Sequence, residues 1–213
     1  MIQKPIVMID FETTGLSPAM GDRVTEVAAL RIVGGRVTER YVSLINCGAR
    51  IPSFITALTG ISQDMVDSAP PVSRIIPELL DFIGTDMLSA HNASFDEKFL
   101  KAESERLGLA TAHAGLVCSL KLSRRIFPGM PSYKLGQLSG QLGIRFRSAA
   151  HRAESDAEVA AEVLSHIGSH LGATYRLPSV EPQLLVSVNK LAAAKVPAYL
   201  HKYAQENSVP QVA

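Results

Sequence analysis

The sequence predicts an α/β protein in which a mixed five-stranded sheet is flanked by helices. A short apolar run at residues 6–9 ends in Asp10, which is typical of a central strand buried on both faces. Two strand-like segments follow, and the pair Gly34-Gly35 between them indicates a hairpin turn. Helical and strand patterns then alternate, so we expect the first three strands to be antiparallel and the remainder to be parallel.

The first third of the chain supplies the antiparallel strands. Residues 6–9 form the first strand, and residues 23–33 and 36–45 form the two arms of the hairpin. Residues 52–65 mix apolar and polar positions, with Thr59-Gly60 as a break in the pattern. A helix packed on the sheet is predicted after Pro70-Pro71, because apolar residues then recur at helical spacing. These residues are Ile75, Ile76, Leu79, Leu80 and Ile83.

The rest of the sheet is predicted from two shorter strands separated by helices. Residues 86–90 form the fourth strand and residues 116–119 the fifth. Between them, apolar residues at helical spacing are Phe95, Phe99, Ala102 and Leu107. A further helix ends near Gly143, and another begins just after Glu154 and carries an apolar stripe. Its residues are Ala157, Ala160, Ala161, Leu164 and Ile167.

Composition limits the class of protein. A chain of 213 residues with 46% hydrophobic content can bury one substantial core, so we expect one globular catalytic domain at residues 1–171. Residues 172–213 would be a C-terminal helical extension of unknown role, with Pro197 interrupting its helical pattern. A formal net charge of +1 excludes a histone-like basic surface, so any contact with nucleic acid must be local.

Cysteine usage and the N-terminal segment indicate a cellular compartment. Cys47 and Cys118 lack the spacing of a zinc site or a disulfide framework, which favours reduced thiols in a cytoplasmic protein. The apolar run at residues 6–9 is too short for a signal peptide or a membrane span. We therefore expect a soluble cytoplasmic protein without a membrane partner.

Four carboxylates and one histidine stand where predicted elements begin or end. Asp10 and Glu12 are two residues apart in an extended segment, a spacing that points both side chains to one side. Asp96 and Asp156 each lie in the first turn of a predicted helix, and His151 precedes the second of these helices. Taken alone, the first pair fits an ordinary turn as well as a metal site, and an acid in the first turn of a helix is more often a helix-start residue than a ligand. Together they provide the hard oxygen ligands that bind divalent cations.

Three motifs occur in a fixed order along the chain. They are Asp10-Phe11-Glu12-Thr13-Thr14-Gly15, Asn92-x-x-Phe95-Asp96 and His151-x(4)-Asp156. This series resembles the DEDDh 3′→5′ exonucleases, the family of the proofreading epsilon subunit of bacterial DNA polymerase III. The resemblance covers about residues 6–168 and extends to Leu58-Thr59-Gly60-Ile61, Pro70-Pro71 and Tyr133-Lys134-Leu135. It implies a ribonuclease H-like fold. Cys118-Ser119 departs from the Asp-Thr that relatives often have. This position is not a metal ligand in the family, so the departure bears only on substrate preference.

The resemblance also implies a mechanism and a set of roles. Asp10, Glu12, Asp96 and Asp156 would hold two Mg²⁺ ions, for which Mn²⁺ can substitute, with Asp10 bridging both ions. His151 would act as the general base that takes a proton from the attacking water. Each of these five residues is therefore a predicted catalytic residue.

A second set of residues is predicted from the resemblance to contact the 3′-terminal nucleotide. These residues are Thr13, Leu16, Leu58, Ile61 and Asn92. For Leu58 and Ile61, ordinary core packing is an equally good interpretation. Several basic residues could guide the nucleic-acid strand to the site, although scattered surface charge explains these residues equally well. They are Lys121, Arg124, Arg125, Lys134, Arg145 and Arg147.

The predicted function is release of nucleoside 5′-monophosphates from the 3′ end of single-stranded DNA, in proofreading or repair, with a DNA polymerase subunit as a candidate partner. An exoribonuclease similar to ribonuclease T or oligoribonuclease is the alternative, because contacts to a 2′-hydroxyl cannot be recognised in a sequence.

A phosphatase with an aspartate nucleophile is disfavoured by Glu12, which stands where a second aspartate is expected. A catalytically silent binding module remains a third class. The extension could pack on the domain, dimerise, or bind a polymerase or clamp.

Overall fold

The computed structural model of the protein describes residues 1–146 and 150–207. Arg147 and the last six residues of the predicted extension lie outside the described residues. The described residues contain one five-stranded mixed sheet with the strand order β3-β2-β1-β4-β5. The strands are β1 (Ile6–Thr13), β2 (Val24–Val33), β3 (Arg36–Leu44), β4 (Met87–Ala90) and β5 (Leu116–Cys118). This confirms the predicted fold class.

Strand directions follow the prediction as well. β1, β2 and β3 are antiparallel neighbours, whereas β4 pairs in parallel with β1 and β5 pairs in parallel with β4. Gly34 and Gly35 form the turn between β2 and β3 with φ values of 59° and 75°. Both angles are positive, as the tightest hairpin turns require, and glycine adopts them without steric cost. The glycine pair therefore sets the register of the hairpin.

Nine α-helices surround the sheet in the described part of the chain. They are α1 (Ser53–Thr59), α2 (Gln63–Asp67), α3 (Val72–Ile83), α4 (Ser94–Arg106), α5 (Ser119–Ile126), α6 (Leu135–Gln141), α7 (Ala153–Tyr175), α8 (Pro182–Lys190) and α9 (Val196–Asn207). Short 3₁₀ turns occur at Pro18–Met20 and Ala193–Lys195. Residues of α1 to α4 cover one face of the sheet, and residues of α7 to α9 cover the other.

The two cores follow from the alternation of side chains along the central strand. Ile6 and Met8 of β1 belong to the core on the α7 side. Val7 and Ile9 belong to the core on the α3 side, and Phe11 joins them. Successive side chains of a strand point to opposite faces, so an unbroken apolar run fills both cores.

The C-terminal extension packs into the α7-side core. α7 continues to Tyr175 and ends where Arg176 adopts a left-handed φ of 54°, so the predicted boundary between residues 171 and 172 falls inside this helix. Pro197 lies in the first turn of α9, where a proline costs no hydrogen bond, instead of interrupting a longer helix. Buried apolar residues of the extension share one core with the sheet: Leu177, Val180, Leu184, Leu185, Val188, Val196 and Leu200.

β5 is an edge strand whose outer side is paired by a side chain of the extension. The backbone N–H of Cys118 donates to Oδ1 of Asn189 at 2.7 Å. Nδ2 of Asn189 donates to the carbonyl oxygen of Cys118 at 3.2 Å. The side-chain amide of α8 thus makes the two hydrogen bonds that a neighbouring strand would otherwise make at this residue. Cys118 and Cys47 are both free and buried, which agrees with the predicted reduced thiols.

Candidate active site

The C-terminal half of β1 carries the first two carboxylates on one side of the sheet. Asp10 and Glu12 are partly exposed, whereas Phe11 between them is buried. β4 pairs with β1 only from Ile6 to Met8, so beyond Met8 the edge of β1 that faces β4 is open among the described residues. The two carboxylates therefore stand at the end of the parallel part of the sheet, where α/β proteins commonly bind ligands.

Asp96 reaches this edge from the first turn of α4. Its carboxylate oxygen Oδ1 accepts a hydrogen bond from the backbone N–H of Phe11 at 3.2 Å. The side chain is buried, and its charge is one of the causes that raise the pKa of Asp10. The open backbone of β1 thus holds Asp96 beside Asp10.

Asp156 arrives from the opposite face, in the first turn of α7. Its oxygen Oδ2 accepts hydrogen bonds from the backbone N–H of His151 at 2.7 Å and from that of Arg152 at 3.2 Å. His151 is exposed and has a left-handed φ of 63°. Asn92, before α4, likewise has a φ of 82°. Each helix that carries a site carboxylate is thus preceded by a non-glycine residue in a sparsely populated conformation, a feature that clusters at functional sites.

Three of the four predicted ligands lie close enough to share one metal ion. Ligand oxygens of Asp10, Glu12 and Asp156 all lie within 4.8 Å of one another. Asp96 is not part of this group of three and lies beside it through its hydrogen bond to Phe11. Clustered carboxylate oxygens are the donors that Mg²⁺ and Mn²⁺ prefer, so the residues present fit a divalent cation.

Burial and mutual repulsion weaken the acids of this cluster. Burial, followed by the charges of Asp96 and Glu12, raises the pKa of Asp10 well above its ordinary value. Burial and then Asp156 raise the pKa of Glu12 to about 8. Burial raises the pKa of Asp96 to about 7, against the opposing effect of its hydrogen bond from Phe11. Near neutral pH the metal-free cluster therefore retains protons, which a bound dication would displace.

The loop after β1 depends on a glycine. A Cβ atom on Gly15 would lie 2.4 Å from Oδ1 of Asp22, closer than real Cβ atoms approach other atoms. Oδ2 of Asp22 accepts the backbone N–H of Ser17 at 2.9 Å, which closes the loop. Thr13 donates its hydroxyl to the carbonyl oxygen of Gly15 at 2.6 Å. The Thr-Thr-Gly part of the motif thus shapes the turn that leaves the site.

The residues predicted to contact a terminal nucleotide are not equally placed. Leu16 and Leu58 are 78% and 52% exposed, and Asn92 is also exposed, so all three are available to a ligand. Thr13 is 7% exposed. Ile61 is 0% exposed and belongs to the α3-side core, so its predicted contact with the terminal base is not supported and core packing is what the structure shows. The reason is Gly60, whose φ of 74° turns the chain inward after α1.

Sequence reasoning missed an exposed aromatic residue of α1 and an ion pair beside the carboxylates. Phe54 is 66% exposed and lies one turn before Leu58 on α1, and its i, i+4 spacing from Leu58 was the available signal. Glu26 lies directly opposite Glu12 in the pairing of β1 with β2. Glu26 is buried and binds the guanidinium of Arg152. A lone acid within an apolar strand was the signal for Glu26.

A basic groove lies at the end of β4 that leads to α4. Its walls come from residues 91–92, from Leu120 and Arg124 of α5, and from residues 132–135. The His91 ring joins these walls, with Nδ1 2.9 Å from the Ser119 hydroxyl and Nε2 2.9 Å from the Tyr133 carbonyl oxygen. Both ring nitrogens of His91 are therefore engaged in holding the groove together.

No helix of the described residues combines the length and the apolar character that crossing a lipid bilayer demands.

Comparison with known proteins finds relatives that match the strands of the sheet and the helices that carry the site carboxylates. Residues 7–164 match the model of the exonuclease family RNase_T. The 3′-5′ exonuclease DinG of Bacillus subtilis (strain 168) is 40% identical over 157 residues, which are 74% of this chain and 17% of DinG. The DNA polymerase III subunit epsilon of Aquifex aeolicus (strain VF5) is 32% identical over 157 residues, which are 74% of this chain and 77% of that protein.

Solved structures with the same fold include two exonuclease complexes. Exonuclease X with a 5′ overhanging duplex DNA has a TM-score of 0.66 and 24% identity, over 86% of this chain and 99% of that chain. Escherichia coli exonuclease I with a dT13 oligonucleotide has a TM-score of 0.69 and 17% identity, over 82% of this chain and 43% of that chain. At these identities the likeness establishes the fold.

The family model covers most of this chain, and the epsilon relative is matched over most of its own length. DinG is a much longer protein, of which this chain spans about one sixth, as the 17% coverage states. The chain belongs to the exonuclease family.

Proposed function

We propose that the protein is a divalent-metal-dependent 3′→5′ exonuclease that releases nucleoside 5′-monophosphates from the 3′ end of single-stranded DNA. The observation that carries this proposal is the cluster of Asp10, Glu12 and Asp156, whose oxygens lie within 4.8 Å of one another in a member of the exonuclease family. Asp96 adds a fourth carboxylate through its contact with Phe11. The cluster has the donor atoms and the open strand edge that a phosphodiester needs to approach.

The four carboxylates would hold two Mg²⁺ ions, with Mn²⁺ as a substitute. Asp10, Glu12 and Asp156 would hold one ion, and Asp96 would hold the second together with Asp10. When bound, such a pair of ions supplies an activated water and neutralises charge on the attacking and leaving oxygens. The raised pKa values of the metal-free acids support this assignment, because a cluster that resists ionisation gains most from bound dications.

His151 would act as the general base. Its backbone N–H donates a hydrogen bond to Asp156, so the residue is held next to the ligand cluster. Its side chain is exposed and therefore accessible to substrate. Imidazole is the side chain that most often accepts a proton in such reactions. Asp156 would thus serve two purposes, since it would hold metal and also hold the base in place.

Two surfaces would receive the strand. Leu16, Phe54 and Leu58 are exposed apolar side chains that would pack against the terminal base and sugar. The groove with Arg124 and Lys134 would take the phosphates upstream of the cleaved bond. In this groove, the Arg124 guanidinium lies over the Tyr133 ring, 5.9 Å from its centre, so a cation and an aromatic ring stand together where a base and a phosphate would bind.

The choice of DNA over RNA rests on the relatives. The epsilon relative is by name a subunit of DNA polymerase III, and this supports DNA as substrate, a role in proofreading or repair, and a polymerase subunit as partner. Free, buried cysteines support a cytoplasmic enzyme, because thiols stay reduced in that compartment. Residues 172–207 would act as part of the exonuclease domain, since they share its core.

The test is a time course on 5′-labelled and 3′-labelled oligomers of the same sequence, as DNA and as RNA, with Mn²⁺, Mg²⁺ or EDTA. We expect 5′-labelled DNA to shorten one nucleotide at a time, with 5′-monophosphates released and no reaction in EDTA. Asp10→Ala should abolish release. Asp81→Ala is the matched control, because Asp81 is an exposed acid on α3 away from the cluster.

The outcomes separate the alternatives. Faster shortening of RNA than of DNA would replace the substrate with RNA and retain the chemistry. Activity retained by Asp10→Ala would refute the metal mechanism, and absence of hydrolysis by the unaltered protein with either metal would favour a silent binding module.

A further inference from the structure

We propose that Glu26 and Arg152 are positioning residues: together they form a clamp that holds the start of α7, and with it Asp156 and His151, on the sheet. The clamp deepens the proposed function, on which its kinetic part rests. Neither residue belongs to the predicted catalytic set, and neither is proposed to touch the reacting atoms.

Glu26 stands where a fifth metal ligand could be. It lies directly opposite Glu12 across the β1–β2 pair, and opposed residues of an antiparallel pair point to the same face. Burial is the main cause that raises the pKa of Asp10 and of Glu12, and the charge of Glu26 adds to it. Glu26 is nevertheless absent from the group whose oxygens could share an ion. Its two carboxylate oxygens are bound by other partners instead.

Arg152 and the first residue of α7 occupy those oxygens. Nη2 of Arg152 donates to Oε1 of Glu26 at 2.5 Å, and Nε of Arg152 donates to Oε2 at 3.1 Å. The backbone N–H of Ala153 donates to Oε2 at 2.9 Å. The Glu26 side chain is 4% exposed and the Arg152 side chain is 41% exposed, so the carboxylate of this bidentate pair is shielded from water while the guanidinium lies at the surface.

Glu26 also caps α7 from a different element. Arg152, at the N-cap position, makes no side-chain capping hydrogen bond of its own, and the N–H groups of a first helical turn need an acceptor. Glu26 provides one from β2, and its negative charge lies at the positive end of the helix dipole. The sheet therefore specifies where this helix begins.

Three consecutive residues are fixed as a result. The N–H groups of His151 and Arg152 bind Asp156, while the Arg152 guanidinium and the Ala153 N–H bind Glu26. A shift of α7 along the sheet would break both sets of bonds at once. The clamp thus holds His151, the proposed base, and Asp156, a proposed metal ligand, against β2.

Charge and position make opposite predictions for Arg152→Ala. If only net charge mattered, removal of a cation would make the cluster more negative and tighten Mn²⁺ binding. If the clamp positions Asp156, its loss should weaken Mn²⁺ binding by about 10-fold, as is usual when a group that orients a metal ligand is removed. Mn²⁺ affinity measured by calorimetry, without nucleic acid, therefore separates the two explanations.

The matched control is Glu103→Gln. Glu103 is a buried glutamate that binds Arg23 of the β1–β2 loop in the same bidentate way, at 2.8 and 2.9 Å, but seven residues beyond Asp96 on α4. Its loss should lower the melting temperature as much as Arg152→Ala does and leave Mn²⁺ affinity unchanged. A charge-preserving variant, Arg152→Lys, keeps the test valid if the alanine variant does not fold. Lysine offers one donor group in place of the guanidinium fork, so weaker Mn²⁺ binding is again expected.

Kinetics add a second readout on oligonucleotide. Arg152→Ala and Glu26→Gln should each lower kcat by about 10- to 100-fold with KM within about two-fold, and the double variant should lose no more than either single variant. The clamp is refuted if Arg152→Ala binds Mn²⁺ with an affinity equal to or higher than that of the unaltered protein. If only Arg152→Lys folds, the same comparison is made with that variant. If the unaltered protein hydrolyses nothing, the proposed function fails, yet the Mn²⁺ comparison still decides the clamp.

Discussion

Replacing Glu12 by glutamine should stabilise the metal-free protein, and more so as the pH rises. Glutamine keeps the size of the side chain and removes its charge. Burial and Asp156 raise the pKa of Glu12 from 4.5 to about 8 in the folded state. Between these two pH values the folded protein holds a proton that the unfolded chain has released, so its free energy of unfolding falls as the pH rises. The glutamine variant lacks this loss.

The magnitude follows from the two pKa values. The difference between 4.5 and about 8 corresponds to an upper bound of about 5 kcal/mol at pH 9, from about 1.4 kcal/mol for each pH unit. Neighbouring acids share protons with Glu12 and water reaches part of the side chain, so we expect a measured gain of about 2 kcal/mol. For a chain of this length, that gain raises the melting temperature by about 4–8 °C. Below pH 4.5 the gain should vanish, because Glu12 is then protonated in both states.

The assay is thermal unfolding in EDTA at pH 4, 7 and 9, followed by circular dichroism. Glu105→Gln provides the control, since Glu105 is an exposed glutamate on α4. Addition of Mn²⁺ at pH 8 should reverse the order, because the unaltered protein gains more from the ion than the variant that has lost a ligand. A Glu12→Gln variant that is no more stable than the unaltered protein at pH 9 would refute the claim that this cluster is strained without metal.

Four further outcomes are expected. Asp10→Ala should lower hydrolysis by at least about 1,000-fold while the circular dichroism spectrum stays unchanged. His151→Ala should lower kcat by about 100-fold with Mn²⁺ affinity unchanged by calorimetry, and weaker binding would contradict its role as base. Arg124→Glu should raise KM for a 12-nucleotide strand by about 10-fold and leave a dinucleotide unaffected, in salt-dependent kinetics. Gly15→Ala should cost about 1–3 kcal/mol in urea unfolding, because its Cβ would overlap Asp22 at 2.4 Å.

Much of the fold could be predicted because its signals are local. The apolar run of β1 and the glycine pair between β2 and β3 specify neighbouring strands within a few residues of each other. The end of α7 was not recognisable, because Gly172 and Thr174 lower helical propensity, while packing of the extension carries the helix on to Tyr175. Tertiary burial decided that boundary, and no local pattern encodes it.

The site divides in the same way. Its acids were recognisable because they occupy element ends at spacings that local geometry explains, and the structure brings three of them together. The pairing of Glu26 with Arg152 joins residues 126 positions apart, which no single sequence reveals. The burial of Ile61 could not be predicted either, because the sequence fits a surface or a core position equally, and the structure places Ile61 in the core directly after the left-handed residue Gly60.

The side-chain amide of Asn189 has a practical consequence for anyone who shortens this chain. A gene trimmed to the family match at residues 7–164 would encode β5 without the helix that pairs its rim at Cys118. The unpaired edge of β5 would then offer its N–H and C=O groups to another copy of the chain. The apolar core residues that α8 covers would be exposed to water. Such a fragment should precipitate on expression, so fusion partners and affinity tags are better attached beyond α9 than in place of the extension.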